Sequence, residues 1–327
     1  MMTKPLSVAV VGLGNMGRYH VTNYVDSELA QLTAVCDPHQ PLVDSFSQQF
    51  HCCGYHTIDD MLACESLDAV SITSPTRTHF ELAMKAIDAG VSVLIEKPIT
   101  DSVADAELLL DRAKQQGVTV MVGHIERFNP AVVALKNLLD SNQLGSITSV
   151  IARRVGAFPT QIKDANVIID LAVHDIDVIS YLLNEQPTSI NGSAGRALID
   201  GREDHAELFL TYPNQSAYIQ VNWITPIRIR QLALTGTQGY IELDYLNQTL
   251  HYYESNYAHC DSGTVQFEPS VRQDIPVIKQ NALLSELTHF LTCVMTKQTP
   301  IVSGEMGCQA LMTALAAMDQ LSIHRPA

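Results

Sequence analysis

The fold is decided near the start of the chain, where residues 7–17 read SVAVVGLGNMG. The apolar, β-branched run 7–11 predicts a buried strand, and the glycines after it predict a tight turn into a helix. Gly12, Gly14 and Gly17 have the GxGxxG spacing of a dinucleotide-binding turn. Because the hexad alone is weak evidence, its sequence context decides the interpretation.

Each position of this turn has a physical role in holding a dinucleotide. Gly12 allows the tight turn, Gly14 lets a pyrophosphate approach the backbone, and Gly17 allows the helix to pack closely on the strand. The helix that starts at Asn15 and Met16 offers unpaired N–H groups to phosphates. A glycine-rich turn that binds no ligand is the alternative.

Asp37 ends the next predicted strand, 20 residues beyond Gly17. A carboxylate at this position accepts hydrogen bonds from the ribose hydroxyls and repels a 2′-phosphate. No Arg or Lys follows in residues 38–40. The sequence therefore favours NAD over NADP as the cofactor.

Short apolar runs alternate with amphipathic stretches of helical length through the first third of the chain. Runs without polar alternation suit strands buried on both faces, and strand-helix-strand repetition predicts a doubly wound parallel sheet. Ser102, with Asp105 three residues on, predicts a helix start, and Gly117 predicts its end. The predicted strands are 7–11, 32–36, 69–73, 91–95 and 119–122, and predicted helices are 75–89 and 102–116.

The pattern changes after residue 125. Consecutive strands joined by short polar turns predict an α+β domain with a large, mostly antiparallel open sheet. We therefore expect a Rossmann domain over 1–124 and a substrate-binding and oligomerisation domain over 125–327. The predicted strands are 148–155, 189–196, 206–212, 217–223, 230–235, 240–244 and 249–253, and the predicted helices are 130–139, 167–183, 281–296 and 304–321.

Composition excludes several functional classes. The 327 residues carry 20 Lys and Arg against 35 Asp and Glu, a net charge of −15, which argues against a nucleic-acid or anionic-membrane surface. No apolar run reaches the roughly 18 residues of a membrane span, and the start of the chain does not read as a secretory signal. Seven cysteines without CxxC pairs predict neither a disulfide framework nor a structural zinc site. We expect a cytoplasmic protein with reduced thiols and no metal.

Two groups of side chains could carry chemistry. Lys97, between Glu96 and Pro98, closes a strand of the predicted parallel sheet, and ligands bind beyond such strand ends. Asp170 and His174 are four residues apart, so a helix would place both on one face, where the carboxylate could orient an imidazole that accepts a proton. The alternatives are a solvated Lys97–Glu96 pair and an ordinary surface pair at 170 and 174.

The ordered combination of these motifs resembles the Gfo/Idh/MocA oxidoreductase family over nearly the whole chain. This resemblance implies a Rossmann domain followed by an open-sheet domain that is often buried in a dimer or tetramer interface. It implies a catalytic group of Lys97, Asp170 and His174, with His174 as the proton acceptor. The cofactor-binding residues that it implies, besides the glycine turn and Asp37, are Ser74, Pro75, Thr76, His79, Glu96 and Lys97.

A narrower resemblance is to the branch of that family that oxidises UDP-N-acetylglucosamine, or the corresponding uronic acid, at C3. It rests on residues 123–130 and 168–177, and it makes His124, Arg127 and Asn129 candidates for substrate binding. The glycine-rich stretch that many members carry before the catalytic Asp is replaced here by residues 165–169. This departure argues against a simple free sugar as substrate.

A nucleotide-sugar carries a pyrophosphate, so this acidic chain would need a local cationic clamp. Arg153 and Arg154, with Lys163 nearby, are the candidates, since guanidinium groups suit bidentate phosphate contacts. Adjacent strand residues point to opposite faces, so at most one of the two arginines faces the pocket. For the two arginines, the alternative is a solvated surface pair. For the function of the whole chain, the alternatives are a free sugar or inositol dehydrogenase and a non-catalytic NAD-binding regulator.

Overall fold

The computed structural model describes residues 4–158, 165–199, 201–259 and 265–324. The chain divides into two compact units, the first made of Met1–Ile125 with Asn281–Met312 and the second of Glu126–Gln280 with Thr313–Ala327. This differs from the contiguous second domain predicted over 125–327, because residues 281–312 belong to the first unit.

The parallel sheet of the first unit has six strands in the order β3-β2-β1-β4-β5-β6, and every neighbouring pair is parallel. The predicted Rossmann architecture is therefore confirmed. The strands are β1 Leu6–Val11, β2 Ala30–Cys36, β3 Cys53–Tyr55, β4 Ala69–Ile72, β5 Ser92–Glu96 and β6 Val120–Gly123. The helices are α1 Asn15–Val25, α2 Gln40–Phe50, α3 Ile58–Cys64, α4 His79–Asp88 and α5 Val103–Gln116.

The helix and strand signals of this unit can be compared with the structure residue by residue. The Ser102 side chain accepts a hydrogen bond from the Asp105 N–H, and Gly117 ends α5 at φ 67°, as the capping pattern predicts. The predicted helix 75–89 instead begins with a 3₁₀ turn, Thr76–Thr78, before α4. Strand β3 was not predicted, because three residues that include Gly54 offer no apolar run.

The sheet of the second unit has nine strands in the order β16-β13-β12-β11-β7-β10-β9-β8-β17. Only β7 with β10 and β8 with β17 pair in parallel, so the predicted mostly antiparallel sheet is confirmed. The strands of the unit are β7 Ile147–Ala157, β8 Ser189–Gly195, β9 His205–Thr211, β10 Ser216–Asn222, β11 Ile224–Gly236, β12 Gly239–Asp244, β13 Thr249–Glu254, β14 Tyr257–His259, β15 Val265–Phe267, β16 Arg272–Ile275 and β17 Ser322–His324. Its helices are α6 Pro130–Asp140 and α7 Val173–Leu183.

Two later helices complete the described chain, α8 Ala282–Thr296 and α9 Gly304–Gln320. Residues 281–312 join the first unit through specific bonds. The Asn281 side chain donates to Asn23 of α1 at 2.7 Å, and the backbone N–H of Val122 in β6 donates to Val302 O at 3.1 Å. Helical periodicity predicts α8 and α9 but carries no signal for these long-range contacts, which explains the wrong domain assignment.

One face of the nine-stranded sheet carries a row of exposed apolar side chains. Ile151, Tyr218 and Phe209 lie in register on β7, β10 and β9, with exposures of 54%, 37% and 45%. The side chains that alternate with them, such as Ala152 and Ile219, are fully buried on the opposite face. None of the described helices is long and apolar enough to cross a membrane.

Candidate active site

The glycine turn after β1 is built so tightly that side chains at two of its positions would collide with backbone. A Cβ on Gly12, at φ 94°, would lie 2.6 Å from the Ser74 nitrogen, and a Cβ on Gly17 would lie 1.9 Å from the Gly12 oxygen. At Gly14 nothing lies within 4 Å of a Cβ position. The turn is closed at its two ends and open at its centre, where a pyrophosphate would approach.

The N-terminus of α1 and the Asp37 carboxylate complete this nucleotide-binding surface. Gly14, the N-cap of α1, forms no side-chain capping bond, and the first turn of the helix contains no acidic residue. Asp37 accepts a hydrogen bond from Leu13 N at 2.8 Å and another from His39 N at 2.8 Å. A carboxylate has further lone pairs for ribose hydroxyls, so the residues present fit a dinucleotide.

His79 connects the loop after β4 to the loop after β5. Its buried ring places Nε2 2.9 Å from the Ser74 carbonyl oxygen and Nδ1 2.9 Å from the Pro98 carbonyl oxygen. His79 therefore contacts both the 74–76 and the 96–98 segments, which the sequence predicts to bind the cofactor.

Glu96, beside the candidate catalytic Lys97, forms a buried pair with His20 of α1. The His20 Nε2 atom lies 3.1 Å from Glu96 Oε1. Burial would raise the pKa of Glu96, but the hydrogen bond and charge of His20, with the charges of Lys97 and His79, outweigh it and lower this pKa. Lys97 is half-buried at the end of β5, between the paired Glu96 and the bonded Pro98 carbonyl, so its backbone is held on both sides.

Asp170 lies in a π-helical turn, Ile168–Ala172, and not in the continuous α-helix predicted over 167–183. The Asn166 side-chain oxygen accepts hydrogen bonds from Ile168 N and Ile169 N, both at 3.1 Å. Asn166 thus caps the segment 165–169 that precedes the candidate catalytic Asp170. Such π turns occur frequently at functional sites. Asp170 and His174 are both half-buried within this unit.

Trp223, the single tryptophan of the chain, contacts the Asp170 carboxylate. Its indole N–H donates to Asp170 Oδ2 at 3.3 Å, and its side chain is buried at the end of β10. An indole N–H is a donor only, so the Asp170 oxygen accepts in this hydrogen bond. The guanidinium of Arg202 lies 5.8 Å from the centre of the indole ring.

Arg127 and Arg154 have internal ion-pair roles that do not fit the substrate roles predicted for them. Arg127 donates to both oxygens of Asp177, at 2.8 and 2.6 Å. Arg154 donates to both oxygens of Asp175, at 2.8 and 3.0 Å, and to Glu126 at 2.8 Å. Alternation along β7 turns Arg154 towards these carboxylates, and their charges raise the pKa of Arg154 although burial lowers it.

The remaining predicted substrate residues are dispersed. Asn129 caps α6, since its oxygen accepts from Ala131 N at 3.1 Å and its nitrogen donates to the Tyr245 carbonyl at 3.1 Å. His124 is buried at the end of β6. Arg153 is exposed on the sheet face opposite Arg154, where it lines a cavity of about 390 Å³. Lys163 lies outside the described residues.

Comparison with known proteins identifies the two halves. A family model described as "Oxidoreductase family, NAD-binding Rossmann fold" matches residues 6–124, and the "GFO/IDH/MocA C-terminal domain" model matches residues 132–242. The chain belongs to the Gfo/Idh/MocA oxidoreductase family. It is therefore an NAD-dependent dehydrogenase acting on CH–OH groups, as the resemblance of its motifs predicts.

Several Gfo/Idh/MocA relatives match along almost the entire chain. A UDP-N-acetylglucosamine 3-dehydrogenase from Acidithiobacillus ferrooxidans is 30% identical over 95% of each chain. A scyllo-inositol 2-dehydrogenase (NAD(+)) from Bacillus subtilis is 28% identical over 99% of this chain and 96% of its own length. The solved structure of the Acidithiobacillus enzyme covers 98% of both chains with a TM-score of 0.85 and 27% identity.

Sequence reasoning missed several residues of this family member's site. His20, Asn166 and Trp223 each contact a predicted functional residue or its segment. Asn166 before an apolar run is a capping signal that could have been found. The other two could not, because their partners are 76 and 53 residues away along the chain. Among the described residues, no group of three or more His, Cys, Asp or Glu could hold a metal ion.

Proposed function

We propose that this protein oxidises the C3 hydroxyl of UDP-N-acetylglucosamine or a similar nucleotide-linked amino sugar, with NAD as the hydride acceptor. The observation that carries this proposal is the 30% identity to a UDP-N-acetylglucosamine 3-dehydrogenase over 95% of both chains. The resemblance implies a glycine-rich stretch before the catalytic Asp in many members, and the departure from it at residues 165–169, where Asn166 forms a cap, supports the proposal.

In the proposed reaction His174 accepts the proton of the substrate hydroxyl. Asp170, whose carboxylate accepts the Trp223 N–H, stabilises the imidazolium that forms. Lys97 donates a hydrogen bond to the substrate oxygen and stabilises its developing negative charge. NAD held by the Gly12–Gly17 turn and Asp37 would supply the hydride acceptor for the same carbon, which is left as a ketone.

A direct assay tests the proposal. Purified protein is incubated with NAD and UDP-N-acetylglucosamine, the absorbance of the reduced cofactor is followed, and the ketone is identified by mass spectrometry. In a parallel reaction a coupled aminotransferase removes the ketone and draws the oxidation forward, because oxidation of an alcohol by NAD is uphill near neutral pH. We expect saturable NADH formation and a product two hydrogen atoms lighter than the substrate.

An inositol or free-sugar dehydrogenase is the second candidate, favoured by the 28% identity to scyllo-inositol 2-dehydrogenase. Saturable NADH formation from myo-inositol or a free hexose, with none from UDP-N-acetylglucosamine, would establish this second function. Tight NAD binding without turnover of any polyol or nucleotide-sugar would instead indicate a regulator.

The exposed sheet face supports a further proposal, that two copies associate through it. The row of Ile151, Tyr218 and Phe209 would lose its contact with water in a dimer. We expect Tyr218→Glu to convert a dimer or tetramer into smaller species in light scattering after gel filtration. Leu108→Glu, an exposed site on α5, is the matched control. A monomeric wild-type protein would contradict this prediction.

A further inference from the structure

Strand β11 starts with an irregular segment beside Gly156 of β7. The register pairs Ile224 with Ala157 and then Ile229 with Val155. Residues 225–228 of β11 therefore lie opposite the single residue Gly156. Such a bulge re-aims the side chains of the longer strand, and here that segment ends in Arg228, two residues before Arg230.

Two arginines from this segment border the space above Gly156. A Cβ at Gly156 would lie 3.8 Å from Arg228 Cα, 3.9 Å from Arg228 Cγ and 3.9 Å from Arg230 Nη1. The backbone at Gly156 has no left-handed φ, so its conformation does not require glycine. A Cβ here would be in ordinary van der Waals contact with both arginines, so the glycine leaves a gap of one side-chain carbon beside them.

Neither arginine has a carboxylate partner among the described residues. Arg230 donates only from Nη1, to the carbonyls of Val155 at 2.7 Å and Ile229 at 2.9 Å, which leaves Nε and Nη2 available. Arg154, opposite Arg230 in the register, already holds the nearby carboxylates Asp175 and Glu126. Burial, and then the charges of Arg154 and Arg228, lower the pKa of Arg230 to about 10. This acidic chain thus holds a local excess of positive charge here.

The arginines lie at the same end of the sheet as Asp170. Val155 of β7 pairs with Asn222 of β10 on one side and with Ile229 of β11 on the other. Trp223, which follows β10 and donates to Asp170, and Arg230 of β11 therefore lie on opposite sides of β7. Strands β10 and β11 are separated by two strand spacings, about 10 Å.

We propose that Arg228 and Arg230 bind the diphosphate of the nucleotide-linked substrate, while its sugar lies at Asp170. This subsite rests on the proposed function and replaces the Arg153–Arg154–Lys163 clamp predicted from sequence. Guanidinium groups match phosphate oxygens in bidentate geometry. Gly156 places no side chain against the two arginines, and a sugar ring with its glycosidic oxygen spans the distance across β7.

Binding of UDP, which lacks the reactive sugar, tests the subsite without turnover. Trp223 is the only tryptophan, so its fluorescence reports ligands near Asp170. UDP is titrated in the presence of saturating NAD, which prevents UDP from occupying the nucleotide site of the first unit. We expect Arg228→Gln and Arg230→Gln to weaken UDP binding by about 10- to 100-fold each, because each removes a charge-assisted hydrogen bond. Gly156→Val, which fills the gap, should weaken it similarly.

Arg272→Gln, at an exposed arginine on β16 of the same unit, is the matched control and should bind UDP as the wild type does. For UDP-N-acetylglucosamine, the KM of the two arginine variants should rise with little change in kcat. Arg228 is exposed and makes no hydrogen bond among the described residues, so Arg228→Gln decides the test even if Arg230→Gln does not fold.

Different results overturn the subsite and the proposed function. Unchanged UDP binding by Arg228→Gln, in a protein that oxidises UDP-N-acetylglucosamine, would disprove the subsite and leave the function intact. A wild-type protein that does not bind UDP would also disprove the subsite. UDP binding that requires both arginines, without oxidation of the nucleotide-sugar, would support the subsite and disprove the C3 dehydrogenase.

Discussion

Lys97→Met reduces turnover by about 10²- to 10³-fold, the loss expected when one donor to a developing oxyanion is removed. Methionine keeps the length of the side chain and removes its charge and its donors. The glycine turn, Asp37 and the His79 bridge do not involve the Lys97 side chain. We therefore expect the Kd for NAD, measured by calorimetry, to stay within a few-fold of the wild-type value.

Lys114→Met provides the matched control for this substitution. Lys114 is exposed on α5 of the same unit, and its replacement should change neither turnover nor NAD binding. A Lys97→Met variant with wild-type turnover would exclude the proposed role of Lys97. A variant that loses NAD binding and turnover together would show that Lys97 holds the cofactor and does not stabilise the substrate oxygen.

The parts of the fold predicted correctly are those that local pattern determines. Continuous apolar runs locate β1, β4 and β5 to within two residues, because burial on both faces leaves no polar position in such strands. Ser102 and Gly117 locate α5 because capping acts over three or four residues. The irregular start of β11 has no such local signal, so the predicted strand 230–235 begins six residues after the observed one.

The residues of the candidate site also fall into two groups, those that local sequence predicts and those that depend on contacts distant along the chain. The GxGxxG turn and Asp37 were predicted because their spacing is fixed by one strand-turn-helix unit. The arginine predictions did not include the internal pairing of Arg154, because a guanidinium has the same sequence signal whether it faces a phosphate or a buried carboxylate. Alternation predicts that Arg153 and Arg154 face opposite ways, but the partners of Arg154 are 21 and 28 residues away along the chain. Only the tertiary structure shows that Arg154 is already paired.

The buried pairing of Arg154 with two carboxylates predicts the largest loss of stability that we expect from a single substitution. Arg154 and Asp175 are 5% and 1% exposed, and Glu126 is 16% exposed. Arg154→Met would leave two carboxylates without a cation, and breaking a buried pair in this way costs about 3–5 kcal/mol. We expect the urea midpoint of the second unit, followed by Trp223 fluorescence, to fall accordingly. Arg153→Met, on the exposed face, should shift the free energy of unfolding by no more than about 0.5 kcal/mol.

The pH dependence of the Arg154→Met defect separates loss of charge from loss of packing. Burial already raises the pKa of Asp175 in the folded state, against the charge and hydrogen bond of Arg154, so loss of the guanidinium would raise this pKa further above its unfolded value. A carboxyl group of this kind destabilises the fold at pH values above its unfolded pKa, because the unfolded chain ionises more readily. The deficit should therefore shrink as the pH falls through the raised folded pKa of Asp175. A deficit that is constant with pH would mean that lost packing, and not the uncompensated charge, causes the instability.

Arg154→Met/Asp175→Leu, which removes both charges, should recover most of the lost stability at neutral pH.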